Sequence, residues 1–251
     1  MRIPKTVSLL LFMLPTLVQA QLTITAESGL VFNPSNDVRV PNGMENRGTF
    51  FSLSDDFAPA LPGPFLRIEA RYLLNEKHTF ELTAAPLAAN YTEYTGGPLS
   101  FAGSLFTGEG IEGRYEFNTY RASYRYRLLN RPQFKLDVGA TALIRDARIA
   151  VLQNGTEAED TDLGFVPLLS LHLQYLPADR WIMQLKGDAL VGPVGRAEDV
   201  FAGLTYALLK NQTLRLKAGY RIVEGGADIA QVYNFALLHF ADVGLEYTLG
   251  K

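Results

Sequence analysis

Apolar and polar residues alternate along most of this chain, in long segments separated by short polar turns. In residues 22–33, Leu22, Ile24, Ala26, Ser28, Leu30 and Phe32 share one parity, and Thr23, Thr25, Glu27 and Gly29 the other. Tyr120, Ala122, Tyr124, Tyr126 and Leu128 oppose Arg121, Ser123, Arg125 and Arg127 in the same way. Leu214, Leu216, Ala218, Tyr220 and Ile222 oppose Arg215, Lys217, Gly219 and Arg221. Side chains on a strand point to opposite faces with a period of two, so the pattern predicts strands with one apolar and one polar face. Ten such segments fall at 22–33, 63–74, 78–91, 116–129, 133–149, 162–176, 180–191, 197–209, 213–223 and 233–249.

A soluble sandwich alternates too, but three features favour a membrane. Most of the segments are about a dozen residues long, against the usual 5–6 of globular strands. A tilted strand crosses a bilayer in about 9–11 residues. Near the short turns, Tyr72, Phe80, Tyr126, Phe134, Tyr175, Trp181 and Tyr247 all lie on the apolar parity, as an interfacial aromatic girdle requires. Phe165, Tyr233 and Phe235 are candidates for the opposite girdle. Tight polar turns at 75–77, 130–132, 177–179 and 210–212 alternate with longer stretches at 34–62, 92–115, 150–161, 192–196 and 224–232. Short turns on one side and long loops on the other are the pattern of outer-membrane barrels. The expected fold is therefore an all-β, antiparallel up-and-down transmembrane β-barrel. Ten strands put both ends on the short-turn side, and twelve, with extra strands inside 34–62 and 92–115, keep that parity.

The last segment adds Asp242, Gly244, Tyr247 and Leu249. Their spacing resembles the C-terminal signal that barrel-assembly machinery reads, except that Gly250-Lys251 follows. Phe117-Asn118-Thr119-Tyr120-Arg121 and the stretch from Gly219 through Glu224-Gly225-Gly226-Ala227-Asp228 to Phe235 resemble an uncharacterised group of bacterial outer-membrane proteins. That resemblance implies the barrel and a lipid and lipopolysaccharide environment, but no activity.

The first residues change the picture by adding export. Arg2 and Lys5, the apolar run Val7 to Leu17 with Pro15, and Val18-Gln19-Ala20 compose a secretory signal. The expected division is a signal peptide over 1–20 and a barrel domain over 21–251, localised in the cell outer membrane. The chain has no Cys, which removes disulfides, thiol nucleophiles and a lipidated start. Its net charge of −3 grows more negative once Arg2 and Lys5 leave, which argues against nucleic acid as a partner.

With apolar faces outward, the polar faces fill the lumen. They carry Glu27, Arg67, Glu69, Arg71, Glu81, Arg121, Arg125, Arg127, Lys135, Asp137, Lys186, Asp188, Arg215, Lys217, Arg221, Asp242 and Glu246. About eight strands enclose only their own side chains, and aqueous pores appear at about sixteen, so ten predict a charged, largely filled lumen. Confined charges must pair. Symmetric turns would set Arg71 opposite Glu81 and Arg125 opposite Asp137.

Candidate chemistry is sparse. Ser170 and His172 share the lumen parity of one segment, with Asp188 or Glu69 as a possible acid, the minimum set for acyl transfer. Enzymes that cleave lipid acyl chains must face lipid, whereas these residues face inward, and no Gly-x-Ser-x-Gly occurs. An omptin-like aspartic protease also suits ten strands, and Asp55-Asp56 and Asp160-Thr161-Asp162 supply carboxylates, but no Asp-x-His accompanies them. His78, His172 and His239 are scattered, without metal-site spacing. No metal or other cofactor is expected. The sequence therefore reads as a non-enzymatic barrel with a binding or structural role in its extracellular loops. A narrow channel for small charged solutes and a lipid-directed hydrolase are the alternatives.

Overall fold

The computed structural model describes residues 20–58, 62–193 and 195–249. The signal segment and Gly250-Lys251 lie outside them, except Ala20. The chain forms β1 (Ala20–Arg39), β2 (Phe51–Ser52), β3 (Gly63–Leu74), β4 (His78–Ala85), β5 (Ala88–Tyr91), β6 (Leu99–Phe101) and β7 (Ser104–Phe106). It continues with β8 (Glu112–Asn130), β9 (Phe134–Gln153), β10 (Thr156–Ala178), β11 (Trp181–Gly192), β12 (Gly195–Ala207), β13 (Leu214–Asp228) and β14 (Tyr233–Leu249).

Each stave pairs antiparallel with the next, and β14 closes onto β1 with Leu22 opposite Leu249. The result is a closed ten-stave barrel, in which β4 and β5, interrupted at Pro86-Leu87, together make one stave against β8. Closure removes sheet edges along the paired length of the wall, where spanning backbone groups must be satisfied within it. The extra strands that a twelve-strand reading would need do exist within the two long connections. None is a stave: β2 is two residues paired antiparallel with the end of β1, and β6–β7 is a separate hairpin.

The segment boundaries follow the alternation, with one systematic difference at the end that carries the long connections. The staves outrun the predicted strands there, β10 reaching 23 residues and β9 reaching 20. The stretch 150–161 is thus not a loop. It is a hairpin tip turned by Asn154-Gly155, both at positive φ (49° and 81°), which a two-residue primed turn demands. Likewise 224–232 is mostly strand. Only 40–62 and 92–111 remain as long connections, and they fold back into the barrel. Phe51, Leu53, Phe57, Leu99, Phe101, Phe106 and Ile111 pack there against Val38, Tyr91, Tyr115, Ile149 and Val151 of the staves. Phe51 meets Phe57 and Phe101 with ring centroids 6.0 and 5.9 Å apart. This apolar plug fills the half of the lumen toward the long connections.

Candidate functional site

Below the plug lies a belt of charge built by strand parity. Glu27, Arg67, Glu69, Glu81, Arg121, Arg125, Lys186, Asp188, Lys217, Arg221 and Asp242 are all buried inside the staves. Arg125, fully buried, donates to Glu81 at 2.5 Å and to Ser170 at 3.0 Å. Lys186 bridges Glu69 at 2.7 Å and Glu81 at 2.5 Å. Glu27 accepts from Arg221 at 2.7 Å and from Lys217. Charges at this depth persist only when each is paired, and here each carboxylate has a cation beside it.

Asp199 is the centre that sequence reasoning missed. It accepts from Arg121, from Arg221 at 2.9 Å and from Arg67 at 3.3 Å. The available signal was its parity in β12, shared with the inward Phe201 and Thr205. Phe201 is wholly buried in the same belt, with Lys217 Nζ 4.1 Å from its ring centroid. The cross-strand pair Gly203 and Gly219 makes room for that ring. A Cβ at either position would sit 2.4 or 2.6 Å from Phe201 Cζ.

At the short-turn end the belt opens into a polar cavity of about 300 Å³, lined by Arg71, Arg127, Lys135, Asp137, His172 and Arg215. Arg127 grips Asp137 with two bonds of 2.7 and 3.0 Å. Arg71 and Arg215 share buried Glu246, at 3.4 and 3.3 Å. Lys135 has no carboxylate within ion-pair distance among the described residues.

The guessed pairings need two corrections. Arg71 does lie opposite Glu81, but its ion pair is with Glu246, because Glu81 is taken by Arg125 and Lys186. Arg125 lies opposite Gly139, and Arg127 faces Asp137. The turn closes around Pro132-Gln133, with Arg131 N donating to Phe134 O at 2.8 Å, and a bulge between Arg127 and Leu129 absorbs one residue.

Ser170, His172 and Asp188 are all buried in the lumen, yet each is engaged elsewhere. Ser170 accepts from Arg125, His172 Nε2 lies 3.0 Å from Gln184 Oε1, and Asp188 accepts from Thr141 at 3.0 Å. No hydrogen bond joins Ser170 to His172 or His172 to Asp188 among the described residues. Asp56 caps a plug turn, accepting from Ser52 N at 2.7 Å, and Asp162 pairs with Arg145.

Outside, Tyr72, Phe80, Tyr126, Phe134, Trp181 and Tyr247 are exposed, and Tyr175 half-exposed, near the short turns. Phe134 stacks on Tyr175 at 4.7 Å, and Trp181 packs tilted against Tyr206 at 4.6 Å. Near the other rim Tyr233 and Phe235 pack at 5.3 Å, with Arg196 over Phe235.

The whole architecture matches solved bacterial outer-membrane barrels. The outer membrane protease OmpT of Escherichia coli superposes with a TM-score of 0.53 at 11% identity, covering 91% of this chain and 97% of that one. The fold is that of the bacterial outer-membrane β-barrels. Weaker likenesses are the attachment invasion locus protein Ail of Yersinia pestis and neisserial surface protein A. Ail has a TM-score of 0.44 at 9% identity, with 92% and 99% of the two chains covered. Neisserial surface protein A has 0.37 at 15%, with 90% and 96% covered. No family model matches the chain, and no curated protein matches it either. The chain therefore shares a fold with these neighbours at identities that carry no activity across.

Proposed function

We propose that the protein is exported to the outer membrane, where it is a closed, non-conducting barrel acting through its extracellular surface. The observation that carries this reading is the double obstruction of the lumen. Apolar side chains from the two long connections fill its outer half, and paired charges from the staves fill its middle. A barrel that spends both long connections on closing itself supports recognition at the rim rather than transport. The rim holds the β9–β10 hairpin, where Arg148 donates to Glu159 at 2.6 Å and Glu116 at 3.1 Å. Rigid scaffolds carry binding on such connections. Exported chains of this pattern meet lipopolysaccharide on their outer face, and the Asp242–Leu249 pattern suits the barrel-assembly machinery. The reading is tested by swelling of liposomes that contain the refolded protein in arabinose or glycine. No swelling above protein-free liposomes is expected. Swelling at rates typical of porins would contradict a closed lumen.

A further inference from the structure

The charges of the lumen balance at one level and not at the other. Within the belt, counting Asp199, six bases face six acids, all of them buried. Around the cavity at the short-turn end the bases are Arg71, Arg127, Lys135 and Arg215. The acids that face them from the staves are Asp137 and Glu246, so two bases stand in excess among the described residues. Glu76 also borders the cavity, but it lies on the exposed turn at the mouth with Lys77 beside it. The positive surplus of the lumen is therefore concentrated around one space of about 300 Å³. A surplus of one sign in a confined space is costly without a counter-charge.

The donors left over converge on that space from several staves. Lys135 of β9 makes no ion pair and no side-chain hydrogen bond among the described residues, and its charged surroundings include Arg127 and Arg215 as well as Asp137 and Glu76. Arg71 of β3 has one ion pair, at 3.4 Å to Glu246, a carboxylate that it shares with Arg215 of β13. Arg127 of β8 spends Nε and Nη2 on Asp137 and keeps Nη1. Cationic donors arriving from different directions suit an oxyanion, to which their hydrogen bonds are strong. The wall also carries Asn130 and Gln174, whose amides make no side-chain hydrogen bond among the described residues and can both donate to and accept from hydroxyls. The volume stands at the lower end of ligand pockets, about 300–1,000 Å³, so a bare phosphate leaves much of it to water. The charge belt closes the inner end, which makes the space a blind pocket open toward the short turns.

We infer that this pocket binds a phosphate monoester of a small polyol, a sugar phosphate in size and chemistry, from the side of the short turns. Its phosphoryl dianion accepts from Lys135, Arg71 and Arg127, and its hydroxyls meet Asn130 and Gln174. The proposal is independent of the rim reading above, since the pocket opens at the other end of the barrel. Isothermal titration calorimetry of the refolded protein in non-ionic detergent at low salt tests it, with glucose 6-phosphate, glucose and succinate as probes. Glucose 6-phosphate is expected to bind at a single site, glucose to give no heat of binding, and succinate to bind at least about tenfold more weakly. Lys135→Gln, which strands no carboxylate, is expected to weaken glucose 6-phosphate about tenfold, the worth of one hydrogen bond to a charged group. Lys77→Gln, on the exposed turn outside the pocket, is expected to change it less than about twofold. Each variant is first checked for compact migration before heating. Should Lys135→Gln fail that check, the ranking of the three solutes on the unaltered protein still reads the phosphoryl contact. No binding of glucose 6-phosphate at millimolar concentration, equal binding of succinate, or equal losses in Lys77→Gln and Lys135→Gln would each overturn the proposal.

Discussion

The two obstructions of the lumen are built by opposite means. The belt is made of charges on staves, each position fixed by register, and its residues are spread along the chain from Glu27 to Asp242. The plug is made of apolar side chains on connections, held by packing and by neutral hydrogen bonds such as Leu53 N to Asn36 O at 2.8 Å and Gln153 Nε2 to Thr107 O at 2.7 Å. Removing one charge from the belt strands its partner in a medium that cannot solvate it. Removing one ring from the plug leaves a void that neighbouring loops can partly close. The belt is thus part of the barrel's own stability, whereas the plug is a separable layer.

The largest expected effect follows from that difference. Arg125→Ala should cost the barrel about 3–5 kcal/mol, because Glu81 keeps only Lys186. The urea midpoint of the refolded protein checks this, and a shift too small to resolve would show that the belt is not what holds the staves. Phe51→Ala should cost about 3 kcal/mol but only within the plug. Limited proteolysis should then cut within 40–62 and 92–111 while the protein still migrates as a compact barrel before heating. Loss of the compact form would erase the distinction between the two layers. Smallest of all, Arg148→Ala at the rim should change the unfolding free energy in urea by less than about 1 kcal/mol, because its carboxylate partners are partly or well exposed. A larger loss would mean that the hairpin tip is coupled to the wall.

The same contrast explains what could be seen in the sequence. Staves and belt were legible because a period of two assigns each residue to a face, and Glu27, Arg121 and Lys217 fall inward by parity alone. Exact partners were not. The bulge near Arg127 and the turn at Pro132-Gln133 moved Arg125 away from Asp137, and Asp199 was passed over although its parity was available. The apolar residues of the plug, Phe51, Phe101 and Phe106 among them, stand in connections with no periodicity to aim them. Only barrel closure brings them together with Tyr91 and Tyr115. The extra length of β10 beyond its last pair with β11 at Leu169 was equally hidden, since strand ends are the least readable part of any alternation.

The central claim, a lumen closed along its axis, is tested most directly by single-channel recording of the refolded protein in a planar bilayer. The account predicts a silent bilayer, with no discrete steps from protein that migrates as a compact barrel. Reproducible steps that change size in Arg121→Lys would contradict it and make the belt a conducting constriction.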